Sequence, residues 1–520
     1  MKKVDFIFLG ILFFFSIFLF ATIDHTGVTY DEPVYFNNVL RLGNNSLSFY
    51  ERFDQFTPPS HGTFMSLLAL PVYTIAKHFM DTTTALRLVT PLFFVLFIVV
   101  FYLYLKKEFD EITALLASII LIGMPRVFFH GHLFALDFPV MVLYTIGCIL
   151  FFHTMRSGKL LYAVITGLIL GGLLATKITG YVILLPLALY FVYVKIKKIP
   201  VPFISIRTLN IHPLIFITAV CAAFFFLISP PLYHHPFSII DYLSFHGSRA
   251  AEFGLFGTYH SQWSLVALAY VPFTLLTTVN AFHIVLVLFG LFLLHRTTRE
   301  KESTMFILWM FWITLFIFSS PFAYKGDVER NFLMLYPFLA FFGGYGAKHI
   351  FSYLSNITKD QARLIISFIF FSLFILSSFF TIWYAHPFQS SYFNLFVGGT
   401  GGVAQHNLHV VTYWQDEFKY TLDWMNQLPV GSTITAHPYI GPYKWYQSQG
   451  LLRNDLVFID TFANMPDYVI IPLKEFPIYY DPPTASLSLE DIPPILTVAS
   501  KQGVPLVRAY QIGYVITSQS

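Results

Sequence analysis

Apolar runs about as long as a bilayer is thick recur along the first three quarters of this chain, and nothing else in it constrains the fold as strongly. Crossing about 30 Å of hydrocarbon as a helix takes about 20 residues, because every backbone N–H and C=O must be satisfied inside the segment. About eleven such runs are present, near residues 5–23, 85–105, 112–129, 138–155, 160–175, 179–194, 212–229, 278–295, 304–320, 331–349 and 364–384. The stretch from Ser264 to Val279 is apolar too, but its proline and its position mark it as a partial or tilted helix. Composition agrees: 56% of the 520 residues are hydrophobic and only 11% charged, which excludes a soluble globular domain of this size. The first run follows Met1-Lys2-Lys3 and resembles a secretion signal, yet no small-residue cleavage pattern comes before Asp31, so a retained helix is expected. The expected fold class is therefore mainly α and polytopic.

Orientation is read from the basic residues, which accumulate in short cytoplasmic loops. Alternate loops carry Lys106/Lys107, Arg156/Lys159, Lys195/Lys197/Lys198/Arg207, Arg296/Arg299/Lys301 and Lys359/Arg363, with Lys2/Lys3 ahead of the first run. This bias predicts a cell-membrane protein with a cytoplasmic N-terminus. The opposite loops include three long, aromatic-rich segments, 24–84, 230–263 and everything after about residue 385, so function is expected on the extracytoplasmic side. Cys148 and Cys221 both lie in or beside apolar runs, which leaves the outer loops without a disulfide framework. The net charge of +3 gives no reason to expect a nucleic-acid partner.

Three acids stand at the outer membrane edge. Asp31 and Glu32 follow the first run in Thr29-Tyr30-Asp31-Glu32-Pro33, and Asp137 opens the fourth in Leu136-Asp137-Phe138-Pro139. Each acid with a proline close behind suits a helix cap worth about 1 kcal/mol. The functional alternative is that these acids, with His130 and His132, converge outside the membrane as a site, since ionisable groups in such places are expensive and tend to have a task. Lys177, in Ala175-Thr176-Lys177-Ile178-Thr179-Gly180, interrupts two otherwise uncharged runs and is either a snorkelling lysine or a partner for an anion. Arg249 and Arg330 are further cations on this face, each with an acid close by, Glu252 and Asp327 respectively. The segment 54–62, with its proline pair, precedes an amphipathic stretch from Phe64 to His78 that suits the membrane surface.

An extracytoplasmic enzyme has no access to cytoplasmic nucleotide sugars, and the chain has neither a P-loop nor a dinucleotide fingerprint. An energised substrate then has to come from the membrane, and a lipid-linked phosphate meets that need. One carboxylate would act as general base on an acceptor hydroxyl, and cations would receive the departing phosphate.

The sequence resembles a known family in the order of its motifs. Tyr30-Asp31-Glu32-Pro33, Thr57-Pro58-Pro59, Pro125-Arg126 through Gly131-His132 to Asp137-Phe138-Pro139, and Gly167 through Lys177 to Gly180 are similar to those of glycosyltransferases with the GT-C fold. The nearest group is that of the dolichyl-phosphate-mannose protein mannosyltransferases and aminoarabinose transferases, glycosyltransferase family 39 and its kin. His386-Pro387-Phe388, Tyr392-Phe393-Asn394, Gly398-Gly399 and Thr412-Tyr413-Trp414 extend the likeness over most of residues 1–430. The resemblance implies inverting transfer of a sugar from a polyprenyl-phosphate donor to a hydroxyl of a protein, glycan or lipid acceptor. It implies Asp31 as catalytic base, Glu32 as its neighbour shaping the acceptor site, Asp137 as a second acid, and Lys177, Arg249 and Arg330 as ligands of the lipid phosphate. The histidine usual before the proline pair is Thr57 here, with His61 a few residues on. No cofactor is required by the sequence, and the pairs His130/His132 and His234/His235 leave a divalent metal open. A multi-span transporter or a non-enzymatic assembly protein is the alternative, against which stand the lack of an internal repeat and the gathering of charge at one face.

Residues 1–385 are thus expected to form the membrane domain and 386–520 a small extracytoplasmic α/β domain. Tyr420 to Gln427 suits a helix, and 432–435, 456–459, 468–471 and 504–516 suit strands. Gly398 to Gly402 reads as a flexible connector. Trp414, Trp424 and Trp445 are either core residues or surfaces on which a sugar could stack.

Overall fold

The computed structural model describes residues 3–54, 56, 61–206, 209–234, 237–247, 252–297, 302–357, 360–459, 466–472 and 493–512. The proline pair at 58–59 and the last part of the expected 504–516 strand lie outside the described residues. All eleven apolar runs form helices. Among the described residues six helices, Lys3–Ala21, Thr82–Glu108, Asp137–Ser157, Ile178–Ile196, Glu302–Ser319 and Ile365–Ala385, are long and apolar enough to cross a membrane by length and composition. Shorter apolar helices pack among them, including Glu111–Ile122, Leu160–Leu174, Pro213–Leu227 and Ala281–Arg296. The protein is a multi-span membrane protein.

Local chemistry explains where the runs break. The 112–129 run is split into Glu111–Ile122 and Pro125–His130, with Pro125 at the start of the second piece, where its missing N–H costs nothing. The stretch after Ser264 forms the helix Val266–Thr278 with Pro272 inside it. Between helices, small residues permit close approach: a Cβ on Gly167 would lie 2.6 Å from Val220 Cβ, and one on Gly171 would lie 2.8 Å from the Cys221 carbonyl oxygen. Helices Leu160–Leu174 and Pro213–Leu227 therefore meet backbone to backbone, the small-xxx-small contact that serves where lipid removes the hydrophobic drive for association.

Strands form two hairpins, β1 (Ile204–Ile206) with β2 (Leu209–Ile211) and β3 (Glu252–Leu255) with β4 (Thr258–Ser261), and one five-stranded sheet. The sheet contains β5 (Thr433–Ala436), β6 (Val457–Phe458), β7 (Tyr468–Pro472), β8 (Leu496–Ala499) and β9 (Pro505–Gln511) in the order β6-β5-β7-β9-β8. β5 pairs in parallel with β6 and β7, while β9 runs antiparallel to β7 and β8. Helix Gly441–Ser448 makes the crossover from β5 to β6, so the mixed α/β layer expected from the sequence is present, with β8 as the strand not foreseen. Gly398 to Gly402 is not a flexible connector: it starts the helix Gly399–Gln405, entered through Gly398 and Gly399 at φ of 75° and 68°.

The C-terminal layer shares its core with the segment after the first span. Phe418, Met425, Ile434, Tyr443 and Trp445 pack in one cluster with Val28, Phe36, Val39, Met65 and Phe134. The Phe36 and Trp445 rings lie 4.8 Å apart, Trp445 Nε1 donates to Thr83 Oγ1 at 2.9 Å, and Val28 N donates to the Tyr446 hydroxyl at 2.6 Å. The boundary near residue 385 is thus a change of composition and not a division of the core. Trp445, and Trp424 against Tyr468, are packing residues.

Candidate active site

The head of helix Glu32–Leu42 decides which of its two acids can reach solvent. Glu32 sits after Thr29 in the spacing of a capping box, and its carboxylate reaches back to accept from Thr29 N at 2.9 Å. The remaining capacity of Glu32 goes to Arg87, whose Nε and Nη2 donate at 2.8 and 2.6 Å, and to Phe134 N at 2.9 Å. Arg87 in turn donates to the carbonyls of Ile23, Thr26 and Gly27, and both partners are sealed from solvent. The first N–H groups of the helix go to backbone carbonyls, Glu32 N to Thr29 and Val34 N and Tyr35 N to Asp31, and the Asp31 side chain makes no cap hydrogen bond. Capping, the structural account the sequence offers for Asp31, therefore does not hold.

Asp31 instead lines a cavity of about 600 Å³, within the range of small-molecule sites. Its Oδ2 lies 2.5 Å from Arg330 Nη2 and accepts from Trp414 Nε1 at 3.3 Å. The Arg330 guanidinium stacks over the Trp414 ring at 4.4 Å and also reaches Asp137 Oδ2 at 3.4 Å and Asp327 Oδ2 at 3.3 Å. Lys177 donates to Asp137 Oδ1 at 2.5 Å. Asp137 likewise caps no helix; it stands behind Lys177 and Arg330 and ties the two cations together. Asp31, Asp137, Lys177 and Arg330, scattered over 300 residues of sequence, thus form one cluster.

The polar and aromatic lining of the cavity includes Tyr30, Tyr35, His61, Tyr413 and Trp414. Its apolar lining includes Ile178 and Val182 on one span and Ile317, Phe318, Phe322 and Ala323 at the end of another. His61 is held near Tyr35, its Nε2 3.3 Å from the hydroxyl, and the adjoining Gly62 N donates to the Thr176 carbonyl at 2.9 Å, which fastens this loop beside Lys177.

The remaining expectations for site residues divide as follows. Glu32 lines no part of the cavity and faces Arg87. Arg249 lies outside the described residues. His130 and His132 do not join the cavity: His132 Nε2 lies 2.9 Å from Thr22 Oγ1 and its Nδ1 2.7 Å from the Phe128 carbonyl oxygen, while His130 Nε2 lies 3.2 Å from Glu329 Oε1. Among the described residues no three His, Cys, Asp or Glu side chains come together in a way that could hold a metal. Sequence reasoning missed Glu329, which is ion-paired to Arg126 at 3.1 Å and accepts from the Tyr413 hydroxyl at 2.8 Å. Burial works against the Glu329 charge, but Arg126 beside it prevails and holds the carboxyl below its ordinary range. Its signal in the sequence was only its place next to Arg330.

The overall fold is similar to that of a solved membrane protein, ArnT. The crystal structure of ArnT from Cupriavidus metallidurans in the apo state aligns with a TM-score of 0.52 and 10% identity over 97% of each chain. The same protein bound to undecaprenyl phosphate aligns with a TM-score of 0.50 and 9% identity over 98% of each chain. Fold and composition together define a polytopic membrane protein with an ArnT-like fold and a C-terminal mixed sheet. Residues 67–234 match the family model of dolichyl-phosphate-mannose-protein mannosyltransferases. That match is confined to residues 67–234, and the likeness to ArnT is one of fold. No curated protein matches it closely enough to count.

Proposed function

We propose that this protein transfers a sugar, with inversion, from a polyprenyl-phosphate donor to an acceptor hydroxyl at the extracytoplasmic face of the membrane, with Asp31 as the general base. One observation carries the reading. Asp31, whose side chain makes no cap hydrogen bond, opens onto a cavity lined by two cations, Lys177 and Arg330, and by apolar side chains from two spans.

The chemistry follows from that arrangement. The acceptor O–H gives its proton to the Asp31 carboxylate as its oxygen attacks the anomeric carbon of the donor. The bond from that carbon to the phosphate oxygen breaks, and the polyprenyl phosphate departs with the bonding pair. Lys177 and Arg330 receive the added charge, the contribution expected to lower the barrier most. A single displacement inverts the anomeric centre. The polyprenyl chain lies along Ile178, Val182, Ile317 and Phe318, where apolar surface replaces water. Phosphate and Asp31 compete for Arg330, so donor binding loosens the ion pair that restrains the base.

The orientation rests on the polarity of the spans. Helices Lys3–Ala21 and Asp137–Ser157 each end near the cavity at one side and carry Lys3 or Arg156 at the other. Lys106/Lys107 and Lys195 stand at that same far side, where positive charge marks the cytoplasm. The test is transfer from a panel of radiolabelled polyprenyl-phosphate sugars to endogenous membrane acceptors, with the anomeric configuration of the product read by NMR. Transfer with inversion is expected; retention of configuration, or no transfer from any donor, would contradict the reading.

A further inference from the structure

Two dipeptides from distant parts of the chain are cross-braced at the cavity. Tyr413 donates to Glu329 at 2.8 Å while its neighbour Trp414 stacks on Arg330, the neighbour of Glu329. Glu329 and Arg330 follow a turn in which Asp327 and Val328 have φ of 64° and 50°, and a β-branched residue there is a genuine outlier that its surroundings have to enforce. The surroundings are Arg126, paired with Glu329 at 3.1 Å, His130 with its Nε2 at 3.2 Å, and the Tyr413 hydroxyl, and neither Glu329 nor Arg126 is accessible to solvent. Arg126 is itself fixed: it donates to the Tyr392 carbonyl and stacks on Phe393 at 4.9 Å.

We infer that Glu329, clamped by Arg126, His130 and Tyr413, is a positioning residue that sets Arg330 and Trp414 against Asp31. Glu329 lines no part of the cavity, so it touches no substrate and acts only through its neighbours. The backbone explains how. Seating the Glu329 carboxylate in its buried site holds the left-handed turn before it, and that turn aims the next side chain, Arg330, across Asp31, Asp137 and Asp327. Tyr413 adds the second link, because its bond to Glu329 fixes the peptide that presents Trp414 Nε1 to Asp31. Displacement of a reacting group by about 1 Å costs on the order of 100-fold in rate, so a brace two bonds removed from the chemistry is kinetically visible.

The inference rests on the reading of the cavity as the donor site, and the experiment separates the two. Glu329→Gln leaves Arg126 buried without a charge partner and risks misfolding, so Tyr413→Phe and Glu329→Asp are made beside it. Each is compared with wild type for thermal unfolding, for binding of undecaprenyl phosphate in detergent, and for kcat and KM of sugar transfer. Tyr413→Phe is expected to unfold at nearly the wild-type temperature while losing on the order of tenfold in kcat. In a double-mutant cycle with Arg330→Lys the losses are expected to be less than multiplicative, since both changes disable one unit. Wild-type kcat in both Tyr413→Phe and Glu329→Asp, or fully multiplicative losses, would overturn the inference while leaving the donor-site reading intact. A wild-type protein that neither binds undecaprenyl phosphate nor transfers sugar would overturn both.

Discussion

A carboxylate that opens onto a cavity and one sealed in the interior respond differently to the loss of their charge, and Asp31 and Glu32 are such a pair. Glu32 serves the fold: it accepts from Thr29 N ahead of the helix, neutralises Arg87 and, through Arg87, pins three carbonyls of the loop leaving the first span. Glu32→Gln leaves a buried guanidinium without its counter-charge, so unfolding stability is expected to fall by roughly 3–5 kcal/mol. Thermal unfolding in detergent checks this, and a midpoint equal to wild type would show that Arg87 finds another partner. The sequence placed both acids at the membrane edge but could not separate their roles, because the partner that distinguishes them, Arg87, lies 55 residues away. Asp31, Asp137, Lys177 and Arg330 were legible as candidates because a charge beside an apolar run stands out. Glu329 and Arg126 were not singled out as a pair, since nothing local in either segment says that they meet across 203 residues.

A short 3-10 helix, Asp416–Thr421, lies between the last span and the sheet. Asp416 and Glu417 are both buried there, with Ser390 donating to Asp416 at 2.8 Å and Ser391 facing Glu417 at 3.5 Å. Burial pushes Asp416 up to about 7, and burial with Asp416 alongside pushes Glu417 well above its ordinary range. The folded protein therefore holds these protons more tightly than the unfolded chain does. Their contribution is complete below the ordinary carboxylate range and is lost as pH rises from about 4 through about 7 for Asp416. Asp416→Asn, which mimics the neutral acid, is expected to flatten the fall of the unfolding midpoint over that window relative to wild type. Parallel profiles for the two proteins would show Asp416 to be ionised in the fold. At this scale the helices were legible, since length and apolarity are local. The sheet order was not, because β7 pairs with β5 and β9 through contacts that no short window contains.

For the whole molecule, the proposed chemistry draws on distant parts of the chain. Two spans supply apolar lining, the link between two helices supplies Lys177, the segment after the first span supplies Asp31, and the C-terminal part supplies Tyr413 and Trp414. No one of these parts lines the cavity alone, and the C-terminal layer shares its core with helix Glu32–Leu42. The role of Asp31 as base is decided by sugar transfer from a polyprenyl-phosphate donor by Asp31→Asn, with wild type and Glu32→Gln alongside at matched folded protein. Asp31→Asn is expected to keep the wild-type unfolding midpoint and still bind polyprenyl phosphate, but to lose transfer. Transfer by Asp31→Asn at the wild-type rate would contradict it.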